Sequence, residues 1–247
     1  MSRHFADAPF HVRPEYGDQD PAIIREVYER DCYGIRELRA RGFVARRVVD
    51  VGAHIGAFAR LVHEVYPDVD VACVEVDPAN VALLRHNAPF ASLFAAACTY
   101  EASDLQLFST LHPLGRTTGG GFVAPRGSTS YLAWENADEY VPRPEAVATI
   151  TLEEIAGALS WDTIDLLKLD CEGKGRDGGE WSILGKTTML ERIGVIVGEY
   201  HGERRQRDEP GAVKLERLLG ERFDGWDCWY SGEEIGLFRL VNPRASR

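Results

Sequence analysis

The chain has 247 residues, 45% hydrophobic and 27% charged, with a net charge of −11. That is enough for one large domain with a sizeable core, and it excludes a mainly disordered chain, a collagen-like repeat and a disulfide-stapled miniprotein. A surface this acidic, with no Lys/Arg run longer than Arg46-Arg47 and Arg204-Arg205, argues against nucleic acid as a partner.

Residues 1–20 are polar and aperiodic and read as a flexible arm. Asp20-Pro21 has the pattern of an N-cap followed by proline at the first helical position. Ile23, Ile24, Val27 and Tyr28 recur at helical spacing, and a second short helix ends near Gly42. These helices, 21–42, precede the core of a single domain expected over 43–247. Arg47–Val51 is a β-branched run that reads as a buried strand. Ile55–Tyr66 reads as a helix, Val69–Val76 as a strand, and the residues after Pro78 as a helix. Strand, helix, strand, helix in so short a span is the βαβ unit of a parallel α/β sheet. The alternation continues with a strand at Ala95–Thr99, a helix at Leu152–Leu159 and a strand at Ile164–Asp170. A helix at Trp181–Glu191, a strand at Ile193–His201 and a helix at Ala212–Leu219 follow. Trp226–Tyr230 and Gly236–Val241 read as a final antiparallel pair. His112–Tyr131 is rich in Gly, Pro, Ser and Thr and reads as a long loop or ragged hairpin.

Five scattered cysteines (Cys32, Cys73, Cys98, Cys171, Cys228), never spaced as CxxC, indicate reduced thiols rather than disulfides or a zinc site. No apolar stretch approaches the roughly 18 residues of a membrane span. The N-terminus has charges where a signal peptide needs apolar residues, so a cytoplasmic protein without membrane association is expected.

The strongest local signal is VVDVGAHIG, residues 48–56: a strand ending in Asp50, then Gly52-x-x-x-Gly56 opening a helix. Gly52 permits a tight turn and close ligand approach, and Gly56 permits close helix packing. Glu75 ends the next strand about twenty residues on, where an acid can accept from ribose hydroxyls. A dinucleotide fingerprint would carry a middle glycine, but this turn has His54, whose side chain would crowd a diphosphate. Asp50 would repel a diphosphate and suits an ammonium group. An acid near an amino group and another on a ribose together describe S-adenosylmethionine.

Five blocks then coincide in order and spacing: VVDVGAHIG, VEVDP at 74–78, IDLLKLDCEG at 164–173, EWSIL at 180–184 and GEYHG at 198–202. Together they resemble the FkbM family of S-adenosylmethionine-dependent methyltransferases, from about Tyr33 to Leu240. The resemblance implies an α/β, class I methyltransferase Rossmann-like fold. Its seven-stranded, mostly parallel sheet would carry an antiparallel C-terminal hairpin and, here, an N-terminal helical extension. It also implies O-methylation of a hydroxyl on a sugar, polyketide or similar natural product. Asp50, Gly52 and Gly56 would line the methionine end of the cofactor, with backbone contacts from Ala53 and His54. Glu75 would hold the ribose, Val76 would border the adenine, and Ala97 and Cys98 would pass near its edge. One departure stands out: Lys174–Gly178 interrupts what would otherwise run CEGGEWSIL, and reads as an insertion beside the acceptor entrance.

For the chemistry itself, Asp170, Glu172, Glu199 and His201 are expected to converge at the carboxyl ends of two strands, where ligands of open α/β sheets bind. Proton removal from a hydroxyl suits a base near neutrality, so His201 is the candidate base. Asp170 would orient it or the acceptor and also belongs with the cofactor residues, and Glu199 completes the catalytic set. No metal enters this first reading. The alternative is Mg²⁺ or Mn²⁺ held by Asp170, Glu199 and His201. Lys168, inside an apolar strand, needs an acid partner such as Asp170. Two rivals stand beside the enzyme reading. One is a nicotinamide-dependent oxidoreductase, opposed by the missing glycine, and the other a non-catalytic protein retaining the fold, opposed by the acids at Asp50, Glu75 and Asp170. The expected partner is a small-molecule acceptor, and a homo-oligomer is left open.

Overall fold

The structure, a computed structural model, describes residues 9–100, 104–110, 122–126, 140–144, 146–171, 179–201, 210–233 and 235–244. Helix α1 (Gln19–Ile23) runs into a π-helical stretch at Ile24–Glu29, and α2 (Ile35–Ala40) follows. Asp20, expected as an N-cap, lies inside α1 with its side chain fully buried on Arg13 at 2.6 Å. The bond to Arg13 turns that carboxylate inward, away from the helix end. From Pro9 onward the segment expected as a free arm is therefore docked, with further bonds from His11 and Arg13 to helix α4 (Pro78–Asn87).

The βαβ reading holds closely. Strand β1 (Arg47–Val51), α3 (Ala57–Val65), β2 (Asp70–Glu75), α4 and β3 (Ser92–Ala95) follow in turn. Asp77 caps α4, its side chain accepting from the Ala79 N–H. The third strand lies earlier than expected and is split. β3 ends at Ala95, and β4 (Ala97–Cys98) leaves the main sheet to pair with β8 (Thr149–Ile150). Between them β5 (Leu105–Thr110), β6 (Phe122–Pro125) and β7 (Tyr140–Pro142) form an antiparallel sheet of order β6-β5-β7. Of the segment read as a ragged hairpin, only residues 122–126 are described, and β6 belongs to it.

Helix α5 (Leu152–Leu159) opens on a Thr151/Glu154 capping box. β9 (Ile164–Leu169) and α6 (Glu180–Lys186) follow, the latter shorter than expected, with a separate 3₁₀ turn at Leu190–Arg192. β10 (Ile193–His201), α7 (Gly211–Arg222), β11 (Asp227–Tyr230) and β12 (Ile235–Val241) complete the chain. Glu172 and Lys174–Gly178 lie outside the described residues.

The main sheet has the order β11-β12-β10-β9-β1-β2-β3, with β12 antiparallel to both its neighbours and the other described pairings parallel. This is the seven-stranded class I methyltransferase arrangement. Each face carries its own core. Ile35, Phe58, Leu61 and Val71 pack on the side of α1–α4, and Leu152, Ile183, Leu215 and Phe223 on the side of α5–α7. Burying each such side chain contributes about 1.5–3 kcal/mol. The connections run outward in opposite directions from β1 and β9, so the carboxyl ends of those strands border a crevice.

Candidate active site

At the end of β1 the chain turns on Gly52, whose φ is +75°. A Cβ there would lie 1.8 Å from the Asp170 carbonyl oxygen, so only glycine lets the two loops approach this closely. The N–H groups of Gly52 and Ala53 donate to the Val74 carbonyl at 3.0 and 3.1 Å, which fastens the turn to β2. His54 adopts φ +50°, uncommon for a residue with a side chain. From that conformation its N–H donates to Glu75 Oε2 at 2.8 Å.

Glu75 closes a small cage. Its Oε1 accepts from the N–H groups of Val76 and Asp77, both at 2.8 Å, and only 7% of the residue is exposed. Burial pushes its carboxyl pKa up, and the backbone donors oppose that shift. Gly52, Ala53, His54, Glu75 and Val76 all line one cleft of about 280 Å³, and Ala97 and Cys98 line it from β4. Burial pushes the Cys98 thiol well up, which makes it a packing group rather than a nucleophile.

Two residues read as lining the cofactor do not reach the cleft. A Cβ on Gly56 would meet Leu84 Cδ1 at 2.9 Å, so Gly56 serves the packing of α3 against α4. Asp50 is fully buried and meets Lys168 at 3.2 Å, a partner the neighbouring strand places directly opposite.

Lys168 organises the other half of the site. Its Nζ donates to the Gly52 carbonyl at 2.7 Å and lies 3.6 Å from Asp170 Oδ2. Burial works against its charge, but Asp50 and Asp170 outweigh burial and raise its pKa. Tyr33 donates to Asp170 Oδ2 at 2.8 Å. Burial would raise the Asp170 pKa, yet Lys168, His201 and Tyr33 hold that carboxyl below the usual range.

His201 ends β10 with a quarter of its side chain exposed. Its N–H donates to Glu180 Oε1 at 2.7 Å, and the same oxygen lies 3.5 Å from Nδ1. Trp181 Nε1 donates to the His201 carbonyl at 3.0 Å. Glu199 Oε1 is 3.9 Å from His201 Nε2. Asp170, Glu199 and His201 line the same cleft, and one ligand atom from each falls within 4.8 Å of the others. Tyr33 and Glu180 were not singled out from the sequence. Glu180 stands in the EWSIL block, whereas nothing around Tyr33 announces it. The remaining described histidines pack, His11 on His86 and His63 on Phe90.

The fold and a cleft at the carboxyl ends of β1 and β9 define a class I methyltransferase. The chain belongs to the methyltransferase FkbM domain family, whose profile matches residues 50–229, and it is a methyltransferase that uses S-adenosylmethionine. Among solved structures it is similar to magnesium protoporphyrin IX methyltransferase from Synechocystis, crystallised with bound S-adenosylmethionine. That match has 7% identity over 96% of this chain and 88% of the other, with a TM-score of 0.48. Precorrin-6y C5,15-methyltransferase from Geobacter metallireducens matches at 12% identity over 87% and 89% of the two chains, TM-score 0.45. A TehB-like S-adenosylmethionine-dependent methyltransferase from Corynebacterium glutamicum matches at 13% over 93% and 100%, TM-score 0.42. The family match, not these distant likenesses, carries the assignment. No curated protein sequence matches the chain. Among the described residues, no helix is long and apolar enough to cross a membrane.

The residues present fit the cofactor. Gly52 and Ala53 line the cleft at the turn, the Glu75 carboxylate stands at the cleft wall, and Asp170 offers a negative charge to an ammonium group.

Proposed function

We propose that the protein methylates a hydroxyl of a small-molecule acceptor of the sugar or polyketide type, in natural product biosynthesis in the cytoplasm, with His201 as general base. The observation that carries this reading is the setting of His201. Its ring borders the cleft while a nearly buried carboxylate, Glu180, stands behind Nδ1. In that arrangement the ring would take a proton from an acceptor hydroxyl, and Glu180 would steady the cation that forms.

The cofactor, when bound, supplies a methyl group on a sulfonium. Around it, Glu75 would accept from the ribose hydroxyls with lone pairs its three N–H partners leave over. Val76 would border the adenine, Ala97 and Cys98 would flank its edge, and Gly52, Ala53 and His54 would present backbone to it. Asp170 would face the amino group, and Glu199 would help to orient the acceptor. Asp50 acts beneath the site, through Lys168.

A second reading has a specific observation in its favour. Asp170, Glu199 and His201 offer oxygen and imidazole ligands within 4.8 Å of one another, a donor set that suits Mg²⁺ or Mn²⁺. The test is transfer of labelled methyl over a panel of glycosides and polyketides, with His201→Ala beside the native chain. The base reading expects kcat to fall by about 10²–10⁴ with cofactor affinity unchanged. Loss of activity with EDTA and its return with Mg²⁺ would favour the metal. If no hydroxylated acceptor is methylated, the acceptor class is wrong.

A further inference from the structure

The N-terminal segment runs along the cofactor side of the fold and is fastened there at three points. The Phe10 ring lies 4.0 Å from the Arg60 guanidinium of α3. His11 and Asn87 exchange hydrogen bonds: the His11 N–H donates to Asn87 Oδ1 at 2.7 Å, and Asn87 Nδ2 donates to the His11 carbonyl at 2.9 Å. The same Nδ2 donates to the Ile55 carbonyl, in the turn after β1, at 2.8 Å. Arg13 makes the third attachment. It forks onto buried Asp20, with Nη2 on Oδ1 at 2.6 Å and Nε on Oδ2 at 3.0 Å. Its Nη1 donates to Asn80 Oδ1 at 2.8 Å, and its Nη2 lies 3.4 Å from His54 Nε2.

These contacts have a common geometry. Asn80 and Asn87 are two helical turns apart, so they share one face of α4. His54 and Ile55 belong to the turn after β1. Arg13 thus links that turn to α4 directly, His11 holds the Asn87 that bonds Ile55, and His54, Glu75 and Asn80 line the same cleft. A guanidinium held bidentate by a buried carboxylate keeps its remaining N–H groups fixed in direction. Because it can only donate, it requires His54 Nε2 as acceptor. That contact steadies the left-handed backbone from which the His54 N–H reaches Glu75.

We propose that Arg13 is a positioning residue for the nucleoside half of the S-adenosylmethionine site, acting through His54 and Asn80 on the Glu75 cage without touching the cofactor. This rests on the proposed role of Glu75 toward the ribose. Two variants of the full chain separate positioning from folding. Arg13→Lys keeps a cation beside Asp20 but loses the fork. Arg13→Met/Asp20→Asn removes the ion pair without leaving a buried carboxylate alone. Calorimetry should show both variants binding S-adenosylmethionine, and adenosine alone, about tenfold more weakly, the factor of one hydrogen bond to a charged group. In the ligand-free protein, amide exchange at His54, Val76 and Asp77 should quicken while β9 and β10 exchange as before. Wild-type constants for both ligands in both variants overturn the proposal, whatever the melting temperature does. Weakening confined to S-adenosylmethionine, with adenosine unaffected, overturns it as well. Glu75→Gln serves as the control: if it leaves adenosine binding unchanged, the ribose role of Glu75 fails instead.

Discussion

Lys168 and Asp50 stand directly opposite each other on β9 and β1, and their charged atoms meet at 3.2 Å with 4% and 0% of the side chains exposed. Both groups are almost wholly buried, so the Asp50 carboxylate depends on the Lys168 ammonium for compensation. The same ammonium also holds the Gly52 carbonyl and lies near Asp170. One cation therefore fixes the glycine turn on β1 relative to the acid that follows β9.

Removing that cation should be costly. Lys168→Met strands the Asp50 carboxylate in the interior and is expected to cost about 3–5 kcal/mol. Lys168→Met/Asp50→Leu replaces the pair with apolar groups and should recover most of that. Urea unfolding measures both. A loss below about 1 kcal/mol in the single variant would mean that the pair does not support the fold.

Glu75 should show two effects at once. Its carboxylate accepts from three backbone N–H groups, and the single oxygen of a glutamine cannot serve them all. Glu75→Gln should weaken S-adenosylmethionine binding about ten- to a hundredfold. It should also destabilise the ligand-free protein by about 1–3 kcal/mol, the cost of leaving a buried donor unsatisfied. Binding loss with no stability change would show that the cage is unimportant to the apo fold.

Asp20 makes the fold sensitive to acid. Burial raises its pKa, but the bonds from Arg13 outweigh burial and bring it below its ordinary value of 3.8. A depressed carboxyl contributes stability above the unfolded-state pKa and loses it as pH falls through the folded-state value. The stability gap between native chain and Asp20→Asn should therefore be full near neutrality and close as pH drops below about 4. Denaturant titrations at neutral and acid pH test this, and a gap that widens on acidification would contradict it.

What could be read from residue order alone followed the strength of local signals. β1, α5 and β10 match their expected bounds because β-branched runs and a capping box mark them. β3 was misplaced because the alanine-rich stretch around Ala95–Ala97 has no periodicity to show where the chain leaves the main sheet. The β5–β7 sheet went unforeseen because its strands are short and separated by turn-forming residues. Gly52 and Glu75, expected from their spacing, both line the cleft. Asp50 was expected at the cofactor but lies beneath the cleft on Lys168, a partner more than a hundred residues away that no local pattern reports. Asp20 failed for the same kind of reason. Asp-Pro is a helix-start signal, and Arg13 overrode it through a contact that the spacing does not display.

Glu180 offers the sharpest test of the catalytic reading. Its carboxylate is 1% exposed, accepts the His201 N–H and stands 3.5 Å from Nδ1. If His201 takes the acceptor proton, the cation forming on its ring is stabilised by that carboxylate, and the stabilisation grows as the proton moves. Glu180→Gln keeps an oxygen for the His201 N–H but removes the charge. It should lower kcat by about ten- to a hundredfold while leaving the S-adenosylmethionine dissociation constant unchanged. In a His201→Ala background the same change should cost almost nothing, since the group through which Glu180 acts is gone. If the two substitutions lower kcat independently, Glu180 acts on something other than His201. If Glu180→Gln turns over at the native rate, its role is confined to holding the start of α6 against the end of β10.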